Sequence, residues 1–146
     1  MHGTLPFPPV FIATCTGLAM PLKKSNGSGE MQVIVAGWIR MEGEAAPTLL
    51  SAQGHIDAAL AEKGCIAYEW AVYPGKTDTI FVFEQWETID DLIAHLNAEP
   101  YFAMGGHLEN AGIAGAEVLC HSVNKSQNIY GNDGLIAEEI FGIRTR

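Results

Sequence analysis

Positive charge is scarce in this chain. It has 8 Lys and Arg against 17 Asp and Glu over 146 residues, a net charge of −9. Nucleic acid and anionic membrane surfaces both require a basic face, so neither is an expected partner. Cysteine is scarce as well. Cys15, Cys65 and Cys120 are far apart, odd in number and without a CxxC pair. They read as reduced thiols in a reducing compartment, and the chain as cytoplasmic. No apolar run is long enough to span a bilayer. The stretch "VFIATCTGLAM" lacks the basic approach of a secretory leader, since Lys23-Lys24 follow it. His55, His95, His107 and His121 show no HxH or HExxH spacing, so no metal is expected. There is no GxSxG, and Gly105, Gly106, Gly112 and Gly115 do not form a dinucleotide fingerprint. No cofactor is expected. Glu69 and Glu84 have no like partner at the spacing of a glycosidase pair.

Apolar residues are plentiful, at 48%, and the length suits one domain. Residues 1–30 read as an arm. Pro6, Pro8 and Pro9 favour extended backbone, and "KKSNGSGE" is a flexible connector. Phe7, Val10, Phe11 and Ile12 give the arm an apolar cluster that should pack on the core or on a second subunit. Residues 31–124 form the patterned domain, and 125–146 a tail of unassigned type.

Within the domain, "QVIVAGWIR" (32–40) reads as a strand. Residues 46–63 place Leu49, Gln53, Ile56 and Leu60 at helical spacing, with Pro47 in the first turn and Gly64 as the stop. "CIAYEWAVY" (65–73) and residues 79–87 read as a hairpin about the "PGKTD" turn. Thr88 and Asp91 stand at capping-box spacing ahead of a helix carrying Leu92, His95 and Leu96. Pro100 ends that helix or bends the chain into a short one over 101–110. "GIAG" reads as a loop and 116–124 as a fourth strand. The order β-α-β-β-α-β is the ferredoxin-like split motif, an α+β class. The strands are apolar on both faces, as in Ile80-Phe81-Val82-Phe83. A single layer of helices covers one face only, so the other predicts a homodimer with its sheets face to face.

"KGCIAYEWAVYPGKTDTIFVFEQWETIDDLIAHLNAEPYF" resembles the signature of the antibiotic biosynthesis monooxygenase family. The positions that carry the likeness are Gly64-Cys65, Tyr68-Glu69, Glu84 and Trp86, His95-Leu96, and Phe102. The resemblance covers roughly residues 31–124. It implies a dimeric α+β barrel with a cavity between each sheet and its helices. The implied activity is cofactor-free oxidation of a quinol or aromatic polyketide-like molecule by O2. The alternative is a non-catalytic binding or stress-response dimer. The haem-degrading branch fits less well: the first strand has no asparagine, and His107 falls about one residue out of step with the ligand histidine.

His95, Trp86 and Tyr68 are the candidate catalytic residues. Trp38, Phe102, His107 and Glu84 are candidate contacts to a small aromatic or quinone-like substrate. Each has a plainer reading beside the functional one. Trp86 either packs the helix start or stacks a planar substrate. His95 is either a helix histidine bonded locally or a general base for a phenolic hydroxyl. Tyr68 is either a core aromatic or a donor to a substrate carbonyl. Counting outward from the turn near Gly75-Lys76 sets Tyr68 across from Glu84, two residues along the strand from Trp86.

Overall fold

The computed structural model describes residues 31–146; the expected packing of the arm lies outside them. The elements run β1 (Gln32–Met41), α1 (Ala45–Ser51), α2 (Gln53–Leu60), β2 (Cys65–Val72), β3 (Thr79–Trp86), α3 (Ile89–Leu96), α4 (Glu99–Ala111) and β4 (Ile113–Val123). Two short strands, β5 (Glu139–Ile140) and β6 (Ile143–Arg144), pair with each other in the tail. The four long strands form one antiparallel sheet in the order β2-β3-β1-β4. This is the ferredoxin-like α+β fold expected from the strand and helix pattern.

Alternation within each strand sorts the side chains. Val33, Ile39 and Met41 on β1, Ile80, Val82 and Trp86 on β3, and Tyr68 on β2 point to the helices and are buried. Leu92 of α3 and Met104 and Leu108 of α4 close this core from above. The opposite face carries Trp38, Phe81 and Leu119, which are 39%, 42% and 53% exposed. Trp38 stands opposite Phe81, and Leu119 opposite Ala36, so these side chains form one apolar surface. Gly37 of β1 pairs with Val118 of β4. A Cβ there would fall 2.0 Å from the Glu117 carbonyl oxygen, so a larger residue would push the strands apart.

Three boundaries differ from the sequence reading, each for a local reason. The helix expected over 46–63 is broken into α1 and α2 at Ala52, a residue with no breaker chemistry. Of the two readings of Pro100, the second helix forms, and it is longer than 101–110: α4 starts at Glu99 with Pro100 in its first turn, after an extended N-cap at Ala98 (φ −98°, ψ 159°). The "GIAG" loop is mostly strand: Gly112, at φ 92°, ends α4 in one residue and β4 begins at Ile113. The capping box forms as read, with the Thr88 hydroxyl accepting from the Asp91 N–H at 3.0 Å. Among the described residues no helix is long and apolar enough to cross a membrane.

Candidate functional site

β3 ends at Trp86, and α3 begins three residues later. Its capping box aims the helix back across the sheet, and His95 arrives over the strand ends. The β2–β3 register sets Tyr68 opposite Glu84, so Tyr68, Glu84 and Trp86 share the helix-facing side. The three rings meet. Trp86 lies 4.7 Å from His95 between ring centroids, and Tyr68 lies 5.4 Å from it, edge on. Tyr101 of α4 adds a fourth ring, 5.6 Å from His95. His95 is 1% exposed and Trp86 is fully buried.

The polar groups of this cluster are few. Trp86 Nε1 donates to Glu84 Oε2 at 3.1 Å. His95 Nδ1 is 2.7 Å from Glu62 Oε2. Among the described residues, His95 Nε2 and Glu62 Oε1 are buried side-chain atoms of this cluster with no hydrogen-bond partner. Burial pushes the Glu84 carboxyl above the usual carboxylate range. The Trp86 N–H and the nearby His95 oppose that rise only in part. Burial, with the Glu84 carboxylate behind it, also raises the Tyr68 phenol, so Tyr68 stays a hydroxyl and a hydrogen-bond donor. The Cys65 thiol is pushed up to about 11 by burial first and then by Glu84 and Glu62, which removes it as a nucleophile at neutral pH.

A surface groove of about 380 Å³ runs along α3 to this cluster, lined by Glu62, Lys63, Asp90, Asp91, Ala94, His95 and Ala98. The groove reaches His95 and Glu62. Trp86 and Tyr68 do not line it; they stand behind His95 and fill the space between sheet and helices. Glu62 lies in the turn between α2 and β2, 33 positions from His95, and no spacing rule on one strand or helix connects them. Tyr101, not its neighbour Phe102, is the α4 ring that meets His95.

Three expected contacts stand elsewhere. Trp38 is on the opposite face of the sheet, because even-numbered residues of β1 point away from the helices. Phe102 is 61% exposed on α4 and touches the Tyr101 ring rather than His95. His107 ties α4 to α1: its Nε2 lies 2.9 Å from the Thr48 carbonyl and 3.1 Å from the Ser51 hydroxyl, and its ring packs on His55. It is engaged in packing α4 on α1 and makes no ring contact with His95. Among the described residues no three His, Cys, Asp or Glu side chains group as a metal site.

A sequence model of the antibiotic biosynthesis monooxygenase family matches residues 32–104, which carry β1, β2, β3 and the His95 helix. The chain belongs to this family. No curated protein matches it. Solved structures share its fold. A candidate antibiotic biosynthesis monooxygenase from Deinococcus radiodurans superposes with a TM-score of 0.60 at 20% identity, covering 68% of this chain and 99% of that one. One of the same description from Nitrosomonas europaea gives 0.58 at 12% identity, covering 70% and 98%. A conserved protein from Methanosarcina mazei gives 0.57 at 16% identity, covering 63% and 92%.

Proposed function

We propose that this protein is a cofactor-independent monooxygenase that oxidises a quinol or related aromatic phenol with O2. The carrying observation is His95: its Nε2 is buried without a partner, its Nδ1 is held by a carboxylate, and aromatic rings surround it. A general base needs an available lone pair near the proton it removes, and a dry aromatic surround suits a planar phenol. The groove volume is at the small end of ligand sites, which fits a compact substrate.

In this reading His95 Nε2 takes the phenolic proton. The phenolate passes one electron to O2, and the radical pair closes a C–O bond at a ring carbon that bears hydrogen. The peroxide takes the proton back from His95. Loss of water from the H–C–O–OH unit then leaves a carbonyl. For a quinol the products are a hydroxyquinone and one water, with one oxygen atom of O2 in each. The substrate supplies all four electrons. Tyr68 and Trp86 pack behind the imidazole and limit its motion.

The functional unit is a homodimer with the Trp38, Phe81 and Leu119 faces packed together. That face is broad and apolar, as a sheet-to-sheet interface requires. The soluble, cytoplasmic setting is the one that suits the free thiols Cys65 and Cys120.

Oxygen uptake with quinol substrates, followed with ¹⁸O2, tests the reaction. One label should enter the product, and His95→Ala should lower kcat by at least about a hundredfold with a smaller change in KM. Quinol binding without oxygen uptake, unchanged by His95→Ala, would instead establish a non-catalytic binding protein. The tight packing of Tyr68 and Trp86 is the observation that favours this second reading.

A further inference from the structure

We infer that Glu62 is a positioning residue that holds the His95 ring with its proton on Nδ1 and its lone pair on Nε2. The inference rests on the reading of His95 as the base. It concerns a residue outside the strand–helix pattern that carries the family resemblance.

The geometry is that of two parallel rungs. Asp91 and His95 are four residues apart on α3 and so lie on one face of it. The turn before β2 presents two consecutive residues to that face. Lys63 Nζ lies 3.4 Å from Asp91 Oδ1, and Glu62 Oε2 lies 2.7 Å from His95 Nδ1. The turn is fixed on both sides. Glu62 N–H donates to the Ala59 carbonyl at 3.1 Å, and Cys65 N–H to the Glu62 carbonyl at 3.3 Å. Glu87 N–H, just ahead of α3, donates to the Gly64 carbonyl at 2.8 Å. The carboxylate therefore meets the ring from a backbone tied to the helix that carries the ring.

An ionised carboxylate only accepts, so its short contact selects an N–H at Nδ1. In the neutral ring this leaves Nε2 as the acceptor, and Nε2 is the buried atom with no partner. Of the other groups against the ring, Trp86 bonds Glu84 instead, and Tyr68 and Tyr101 approach as ring contacts. Glu62 alone makes a hydrogen bond that fixes which nitrogen carries the proton.

The test is the tautomer of His95 in the full ¹⁵N-labelled chain, read from long-range ¹H–¹⁵N side-chain correlations and assigned by the signals lost in His95→Gln. The wild type should show the proton on Nδ1. Glu62→Met, of similar length but without an acceptor, should convert it to a mixture of the two tautomers. Glu62→Gln, whose amide oxygen still accepts, should preserve it. Circular dichroism melts confirm that each variant is folded. With a quinol, Glu62→Met should lower kcat by at least about tenfold and KM by less than twofold. A wild-type proton on Nε2, or an unchanged tautomer in Glu62→Met, overturns the assignment. The tautomer shift without any wild-type oxygen uptake overturns the oxidation reading and leaves the Glu62–His95 pairing standing.

Discussion

Gly64→Ala tests whether the turn that carries Glu62 is locked to α3. Gly64 has φ +76°, and a Cβ there would fall 2.3 Å from Asp91 Cγ and 2.6 Å from Asp91 Cβ. Two separate costs follow. Placing a non-glycine residue in the left-handed region costs about 1–2 kcal/mol. The collision then forces Asp91 aside, although its Oδ2 lies 2.7 Å from the Thr88 hydroxyl in the cap of α3. Losing that charge-assisted bond costs about 1–2 kcal/mol more, as such bonds are worth somewhat more than neutral ones. The Lys63 pair adds nothing to the sum, because its side chain is 92% exposed. The expected total is about 2–4 kcal/mol.

A double-mutant cycle separates the two costs. In an Asp91→Gly background all three colliding atoms are gone, so Gly64→Ala should cost only the about 1–2 kcal/mol of the backbone. Urea denaturation of the four proteins gives the numbers, with the slopes checked for equality. Gly64→Asn extends the argument, since asparagine tolerates positive φ but has the same Cβ. It should recover only part of the loss. Equal costs for Gly64→Ala in both backgrounds would refute the contact between the turn and the helix cap, and with it the locked placement of Glu62.

The other predictions concern the buried carboxylates and the open sheet face. The folded chain holds the Glu84 proton to higher pH than the unfolded chain does, because burial raises its carboxyl. Unfolding therefore releases a proton between the ordinary glutamate range and that raised value, and stability falls as pH rises through this window. Glu84→Gln keeps an oxygen for the Trp86 N–H and should flatten that fall; an unchanged slope in pH-dependent urea melts would contradict it. Phe81→Glu or Trp38→Glu should turn a dimer into monomers in sedimentation at micromolar concentration, while a wild type already monomeric there would remove the face-to-face assembly. Glu62→Met and His95→Leu should each cost about 1–3 kcal/mol, because each strands a buried polar partner. The double variant should return to within about 1 kcal/mol of the wild type.

Much of the fold was legible because the signals were local. Branched and aromatic runs between turn signals marked the strands, the "PGKTD" turn fixed the hairpin, and the Thr88–Asp91 spacing marked where α3 begins. The turn centre also set Tyr68 opposite Glu84, as the register has it. Trp38 shows where local signals stop. A strand apolar on both faces gives no hint of which parity meets the helices; that depends on pairing Val33 with Trp86, more than fifty residues on. Phe102 failed for a related reason. Tyr101 and Phe102 are adjacent on α4 and about 100° apart around it, so only the angle at which the helix is laid down decides which ring reaches His95. His107 is a helix-packing residue because α4, begun by Pro100, runs long enough to carry it beside Thr48 and Ser51.

Glu62 marks the deeper limit. A carboxylate in a polar turn next to a lysine reads as a solvated charge, which is what such residues usually are. Its partner is chosen by the backbone: Gly64 turns the chain closely enough onto α3 for residues 62 and 63 to meet two rungs of the helix. The orphaned atoms then carry the functional argument. His95 Nε2 and Glu62 Oε1 are both buried without partners, and such groups cost about 1–3 kcal/mol each. An apolar pair in place of Glu62 and His95 would hold the same turn to the same helix without that cost. What an apolar pair cannot do is fix which imidazole nitrogen carries the proton, and that is the role proposed for Glu62.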